Sequence, residues 1–293
     1  MRRRPRSIHG MLLAASIALA CDGPPARGDA VVATFPASLD PDVPVGGETY
    51  ECRLYDARAL QGAAVHGLRW TPPSGAVLLH HAMMFATSVT GAPGPTSCEP
   101  MPPAVAVLPL YAPGGESTTF ADGVSIVIPA SAQSLFVEMH LYRRAVGSSS
   151  ASVDFVASAT APAHLAGWVD DVADVPAMPP HTSATATASC RFGGPVRVVG
   201  SWPHMHRLGA HFEGTIVRAN GAREPLLTVP TWDFDHQPLY TVDASLADGD
   251  AIETACNWDN PTDVTVMAGP FSGDEMCNQG LVVWPVESAA CIR

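Results

Sequence analysis

The chain contains no lysine, and charged residues of every kind make up only 15% of its 293 positions. Its formal charge is −12, and four of its 16 basic residues, Arg2, Arg3, Arg4 and Arg6, fall in the first six positions. Without that basic start, 12 basic residues face 28 acidic ones, a charge of −16. Such a balance argues against nucleic acid or an anionic membrane surface as partner. Long apolar runs are scarce too. The run Met11–Ala20 is ten residues, and no other segment approaches the roughly 18 that a membrane-spanning helix requires. Helical periodicity is also missing: 28 prolines and 25 glycines are spread along the whole chain, which leaves no room for long helices. No G-x-S-x-G elbow is present, and no short-period repeat.

What is there begins with an export signal. The basic start MRRRPR leads into the apolar run and then to Cys21. Ala-Leu-Ala before that cysteine looks like a bacterial lipobox, with Ala18 where leucine is commoner; cleavage without lipidation is the rival reading. Residues 22–30 read as a tether. The seven cysteines are Cys21, Cys52, Cys98, Cys190, Cys256, Cys277 and Cys291. If Cys21 is the anchor, six remain, an even number that fits disulfides in an oxidising compartment. Six cysteines allow 15 pairings. Two lie before residue 100 and four after 189, as expected of two separately stapled units. The location implied is the periplasm, the cell surface or the medium.

Hydrophobic residues make up 47% of the chain, enough for a buried core. The apolar pattern is one of short strands between turns. Ala76–Ser88, Ser134–Tyr142, Val196–His206, Phe212–Arg218, Asp250–Trp258, Val264–Ala268 and Leu281–Val286 are among the clearest. Val172–Thr182 is rich in proline and lacks periodicity, which puts a linker or first strand of a second unit around 160–182. The expectation is an all-β protein of two tandem domains, β-sandwiches or jelly rolls, over 31–165 and 166–293.

Four histidine and methionine motifs carry chemistry. In SWPHMHRLG (201–209), His204 and His206 are two apart, so a strand presents both imidazoles on one face. That is half of a copper or zinc site, or else a pair of surface histidines. His80 and His81 are adjacent in an apolar strand, where neighbours face opposite sides; both reach one ion only if the strand is bulged or the rings wrap round its edge. His140, in SLFVEMHLY, shares a face with Phe136 and Glu138. Alone it reads as an ordinary strand residue. Met276 sits in GDEMCN (273–278). Methionine is usually a core filler; as a ligand its soft thioether selects copper over zinc.

Taken in order, LLHHAMMF, VEMHLY, PHMHRLG and GDEMCN resemble the copper type II, ascorbate-dependent monooxygenases over roughly residues 45–293. The resemblance implies two jelly-roll domains facing across a solvent-filled cleft, with one copper each. It makes His80, His81 and His140 the ligands of a copper that stores and delivers an electron. It makes His204, His206 and Met276 the ligands of a copper where dioxygen binds and a substrate C–H bond is broken. Ascorbate is the implied reductant, a small organic molecule the substrate. It also implies the disulfides Cys52–Cys98, Cys190–Cys291 and Cys256–Cys277. The second closes a loop of about 100 residues, which the chain-entropy model values at roughly 4–5 kcal/mol.

The chain departs from the pattern in places. Ala82 follows the first pair where the animal enzymes commonly carry methionine. The peptide-amidating branch binds its substrate carboxylate with an arginine and a tyrosine at the positions of Trp202 and Gly280, and only Asn278 is kept of that trio. Without the bidentate cation, peptide amidation is not expected. Trp202 reads either as the wall of an apolar or aromatic substrate site or as a core aromatic. Two other function classes stand beside the monooxygenase: an exported copper-binding or storage protein without turnover, and a zinc hydrolase, which lacks a general base beside the H-x-H and has no use for Met276.

Overall fold

A computed structural model describes residues 30–291, apart from 116, 122 and 159. The export signal at 1–21 with Cys21, and the tether up to residue 29, lie outside the described residues. Among those described there is no α-helix, only strands and two short 3-10 turns, and no helix long and apolar enough to cross a membrane.

In the N-terminal half, one sheet runs in the order β5 (Gly94–Thr96), β2 (Glu48–Asp56), β9 (Ser134–Arg143), β4 (Val77–Thr87) and β6 (Ala104–Tyr111). Against it lie β1 (Ala30–Leu39), β10 (Ser149–Ala157), β3 (Ala64–Thr71) and β8 (Val124–Val127), with β7 (Ser117–Thr119) paired on β3. Alternation explains the sandwich. Leu135, Val137, Met139 and Leu141 of β9 are buried on the side facing Leu68, Trp70, Val153 and Phe155 of the opposing sheet. The other face of β9 carries Phe136, Glu138 and His140.

The second half forms another sandwich. From β8 the sheet continues in parallel to β11 (His164–Val172), then to β18 (Asn278–Trp284), β13 (Val196–His204) and β16 (Tyr240–Leu246). Its partner sheet is β12 (Thr182–Arg191), β17 (Ala251–Asn260), β14 (Gly209–Val217) and β15 (Arg223–Val229). Val169, Val198, Ile216, Ile252, Leu281 and Val283 fill one end of this core. Phe212, Trp258, Met178 and Met205 fill the other. The chain is therefore all-β, two β-sandwiches in tandem, and one sheet is common to both.

The strand expected at Val264–Ala268 is replaced by two isolated bridges, Met178 to Val266 and Ala268 to Glu275. The buried amide of Asn260 holds this segment as a turn, donating to the carbonyls of Met178, Pro179 and Val264 at 2.9, 3.0 and 2.9 Å. Prolines at 261 and 270 bound the segment and cannot donate to a ladder. Three disulfides join Cys52 to Cys98, Cys190 to Cys291 and Cys256 to Cys277. They are the pairs the resemblance implies, and they point to an oxidising, extracytoplasmic environment.

Leu141→Ala should test the core assignment. It removes a fully buried side chain between the sheets, and unfolding in denaturant should show a loss of about 2–5 kcal/mol.

Candidate metal centre

The first histidine set is built by an irregularity in β4. Leu79 pairs with Leu141 and His81 with His140, so His80 is an extra residue in the ladder. Leu79 and Ala82, on either side, both belong to the core. The bulge thus turns both imidazoles to the face that carries His140. The Nδ1 atoms of His80 and His81 are 3.2 Å apart. His80, His81 and His140 each offer a nitrogen within 4.8 Å of the others, and all three are buried. The His140 ring is fixed from behind: Nε2 donates to Glu48 at 2.9 Å, and Tyr50 stacks on it at 4.5 Å. Its Nδ1 is left buried with no protein partner.

The second set is built by the end of β13. His204 Nδ1 donates to the Gln237 side-chain oxygen at 2.7 Å, and Trp202 stacks on the ring at 4.9 Å. His206 Nδ1 donates to the Asp274 carbonyl at 3.1 Å, leaving Nε2 buried without a partner. The two rings lie 5.2 Å apart. Met276 is two residues before Asn278, the cross-strand partner of His204. It lines a cavity together with His204.

Glu275 clamps this set. Its carboxylate accepts from the backbone N–H groups of His206 (2.9 Å) and Leu208 (2.6 Å) and from the Trp258 indole (2.8 Å). Burial pushes the Glu275 carboxyl up to about 7. The neighbouring Cys256–Cys277 bond anchors the same segment. Sequence reading assigned no role to Glu275, although its place between Asp274 and Met276 in GDEMCN is a signal. Gln237 and Glu48 carry no sequence signal; only the fold brings them to the rings.

Burial holds every imidazole of the two sets neutral. It lowers His80 to about 3 and takes His81 and His204 well below the ordinary histidine value, with the neighbouring imidazoles adding to the effect. His140 and His206 are lowered as well, again by burial first. Neutral imidazole is the metal-binding form. Buried nitrogens without protein partners are costly, and a metal held by the set would satisfy them. Three imidazoles suit copper or zinc, and a pair of imidazoles with a thioether suits copper. The donor sets therefore fit the metal.

The two sets meet between the halves: the His81 and His204 rings are 5.3 Å apart. The space between the halves is divided accordingly. One cavity of about 500 Å³ opens on His81, His204 and Met276, walled by Tyr50 and Trp202. Another, of about 400 Å³, opens on His80. Trp202 is only 3% exposed and its indole donates to the Gln237 carbonyl at 2.9 Å, so it is a core aromatic and a cavity wall at once. At Gly280 a Cβ would come within 2.0 Å of Trp168. No tyrosine fits there, because Trp168 occupies the space. The Trp168 indole donates to Asp170 at 2.9 Å, and Asp170 faces the same cavity.

Two outcomes follow for stability. Glu275→Leu strands three donors, two of them backbone, and should cost at least about 2 kcal/mol in denaturant unfolding. Burial pushes the Asp170 carboxyl up to about 6, against about 4 for an ordinary aspartate. The folded chain then binds that proton more tightly than the unfolded chain, so ionising Asp170 lowers stability as pH rises from about 4 to 6. Asp170→Asn should remove that loss, raising stability at pH 7 relative to pH 4 by about 1–3 kcal/mol.

No curated protein sequence matches the chain. Solved structures that align with it include that of the infectious bursal disease virus Gt strain, at 9% identity over 89% of this chain and 72% of that one, with a TM-score of 0.24. Another is the tandem CBM22-1-CBM22-2 domain of Paenibacillus barcinonensis Xyn10C, at 7% identity over 89% of this chain and 98% of that one, with a TM-score of 0.21. The family model described as "Copper type II ascorbate-dependent monooxygenase, C-terminal domain" matches residues 168–293. That stretch carries His204, His206, Glu275 and Met276, and residues 168–293 are thereby matched to the C-terminal domain of the copper type II, ascorbate-dependent monooxygenases.

Proposed function

We propose that the chain is an oxidoreductase that inserts one atom of dioxygen into a C–H bond of a small organic substrate, the other atom leaving as water. Two electrons and two protons balance the reaction, the electrons coming from a reductant such as ascorbate. His80, His81 and His140 would hold one copper, and His204, His206 and Met276 a second. Bound copper would supply the one-electron and dioxygen chemistry that no protein side chain offers. The observation that carries this reading is the pair of buried, neutral histidine sets with partnerless nitrogens, His140 Nδ1 and His206 Nε2, meeting beside a cavity large enough for a small molecule.

The chain's own residues have distinct parts in this reading. Glu48, Gln237 and the Asp274 carbonyl fix ring tautomers, so that Nδ1 of His140 and Nε2 of His204 and His206 are the lone-pair atoms. The Met276 thioether favours reduced copper at the second set. Trp202 and Tyr50 give the substrate cavity aromatic walls, and Glu99, Glu138 and Asp170 line it without any arginine. Such a lining disfavours a carboxylate substrate and suits a neutral or cationic one with apolar or aromatic surface. The export reading of residues 1–21 puts the enzyme in the periplasm, at the cell surface through Cys21, or outside the cell.

Protein made without residues 1–21 should bind two coppers and consume oxygen when given ascorbate. Met276→Ala should leave the unfolding transition in place and lower oxygen consumption by at least the roughly 10–100-fold typical of a lost outer-shell partner. Two coppers with no oxygen consumption across a substrate screen would favour a copper-binding protein without turnover. A preference for zinc would sink the ligand assignment.

A further inference from the structure

The cavity that opens on His80 concentrates positive charge in an acidic chain. Arg143, Arg144 and Arg207 line its wall, with Asp235 the one carboxylate among its lining residues. The body of the chain after Arg6 has only 12 basic residues in all, so a quarter of them converge here. Elsewhere Arg58, Arg197, Arg218 and Arg223 are spent on carboxylates within 2.8 Å. Among the described residues, Arg144 and Arg207 have no ion pair, whereas Arg143 donates to the Pro41 and Val43 carbonyls and contacts the exposed Asp40 at 3.3 Å, which leaves its positive charge largely uncompensated. Two unpaired guanidinium groups at one concave site are an anion receptor.

The surroundings narrow the anion. Arg207 is held over the Phe234 and Tyr142 rings at 5.3 and 5.8 Å, which orients its guanidinium without neutralising it. Phe234 stacks on His80 at 4.1 Å. His80 itself is fully buried, its Nδ1 turned to His81 and its Nε2 without a protein partner. With Nδ1 as the metal-binding atom, Nε2 carries the proton and donates. A ligand in this cavity would therefore be one imidazole away from the first histidine set. No lining residue is shared with the cavity on His81, His204 and Met276.

We propose that the cavity lined by Arg143, Arg144 and Arg207 binds a small enediolate reductant of the ascorbate class. This rests on the copper reading of His80, His81 and His140. The monoanion gives one electron to copper(II) at that set and its remaining hydroxyl proton to water, and leaves as a radical anion; copper(I) remains. Two such events supply the two electrons of a turnover.

The first test needs no copper. Ascorbate titrated calorimetrically, without oxygen, into metal-free protein should bind at one site. Arg144→Gln and Arg207→Gln should each weaken it at least tenfold. Arg69→Gln, the same charge change on an exposed position of β3, should not alter the affinity. In copper-loaded protein, the rate at which ascorbate erases the copper(II) paramagnetic signal should saturate, with half-saturation rising at least tenfold in the same two variants. Absence of saturable binding, or affinities that Arg144→Gln and Arg207→Gln leave unchanged, would overturn the proposal. Inorganic phosphate binding as tightly and displacing ascorbate would mean a general anion site and would overturn it too. Failure of the protein to take copper would instead undo the functional reading, while the calorimetry still reports on the cavity.

Discussion

One extra residue in β4 governs the centre of this molecule. A regular strand would send one of two adjacent histidines into the core between Leu79 and Ala82, where an imidazole has no partner. The bulge instead places both rings outward and keeps the core alternation intact on each side. It sits at the face where β9 presents His140, so three imidazoles converge from two neighbouring strands. The second set is built differently: the strand expected to run through His206 ends at His204, and His206 is held by its backbone N–H to Glu275 and its ring Nδ1 to the Asp274 carbonyl.

Around both sets, fixed acceptors decide which nitrogen faces inward. Glu48, Gln237 and the Asp274 carbonyl each take one ring N–H. Two of these acceptors also bridge the halves. Glu48 accepts from the Ser272 hydroxyl at 3.2 Å, and the Gln237 backbone N–H donates to the Pro113 carbonyl at 2.8 Å. Tyr50, stacked on His140, donates to the Pro270 carbonyl at 2.6 Å. The same contacts that orient the rings therefore hold the segment carrying Met276 against the first sandwich. Placement of one set is tied to placement of the other.

Much of this was readable in the chain. The breaker-rich, alternating pattern gives strands and no helices, and β4, β9 and β13 lie within a residue or two of their sequence limits. The histidine motifs identified their own strands, and strand parity left His80 and His81 two ways to reach one ion, a bulge or rings wrapped round the edge, of which the structure has the bulge. Other features were hidden for physical reasons. β12 (TSATATASCR) and β16 (YTVDASL) alternate small and polar residues, so neither shows an apolar stripe. Val264–Ala268 has the composition of a strand but is shaped by a side chain, that of Asn260. Gln237, Glu48 and the arginine cavity arise from residues far apart in the chain, which no local window brings together.

The shared sheet has a practical consequence. The match to the family begins at Trp168, which is the middle of β11 rather than a loop. Residues 164–166 of that strand pair with β8, and residues 167–172 with β18. A C-terminal fragment cut at the start of the match would lose the half of β11 that pairs with β8 and would leave only residues 168–172, still on β18, as the margin of its sheet. A fragment ending there would keep residues 164–166 on β8 but lose β18, so that its sheet would end at that short stub. Unpaired margins of this kind recruit other chains. Work on either sandwich in isolation would therefore contend with self-association, and the smallest well-behaved piece of this protein is the pair.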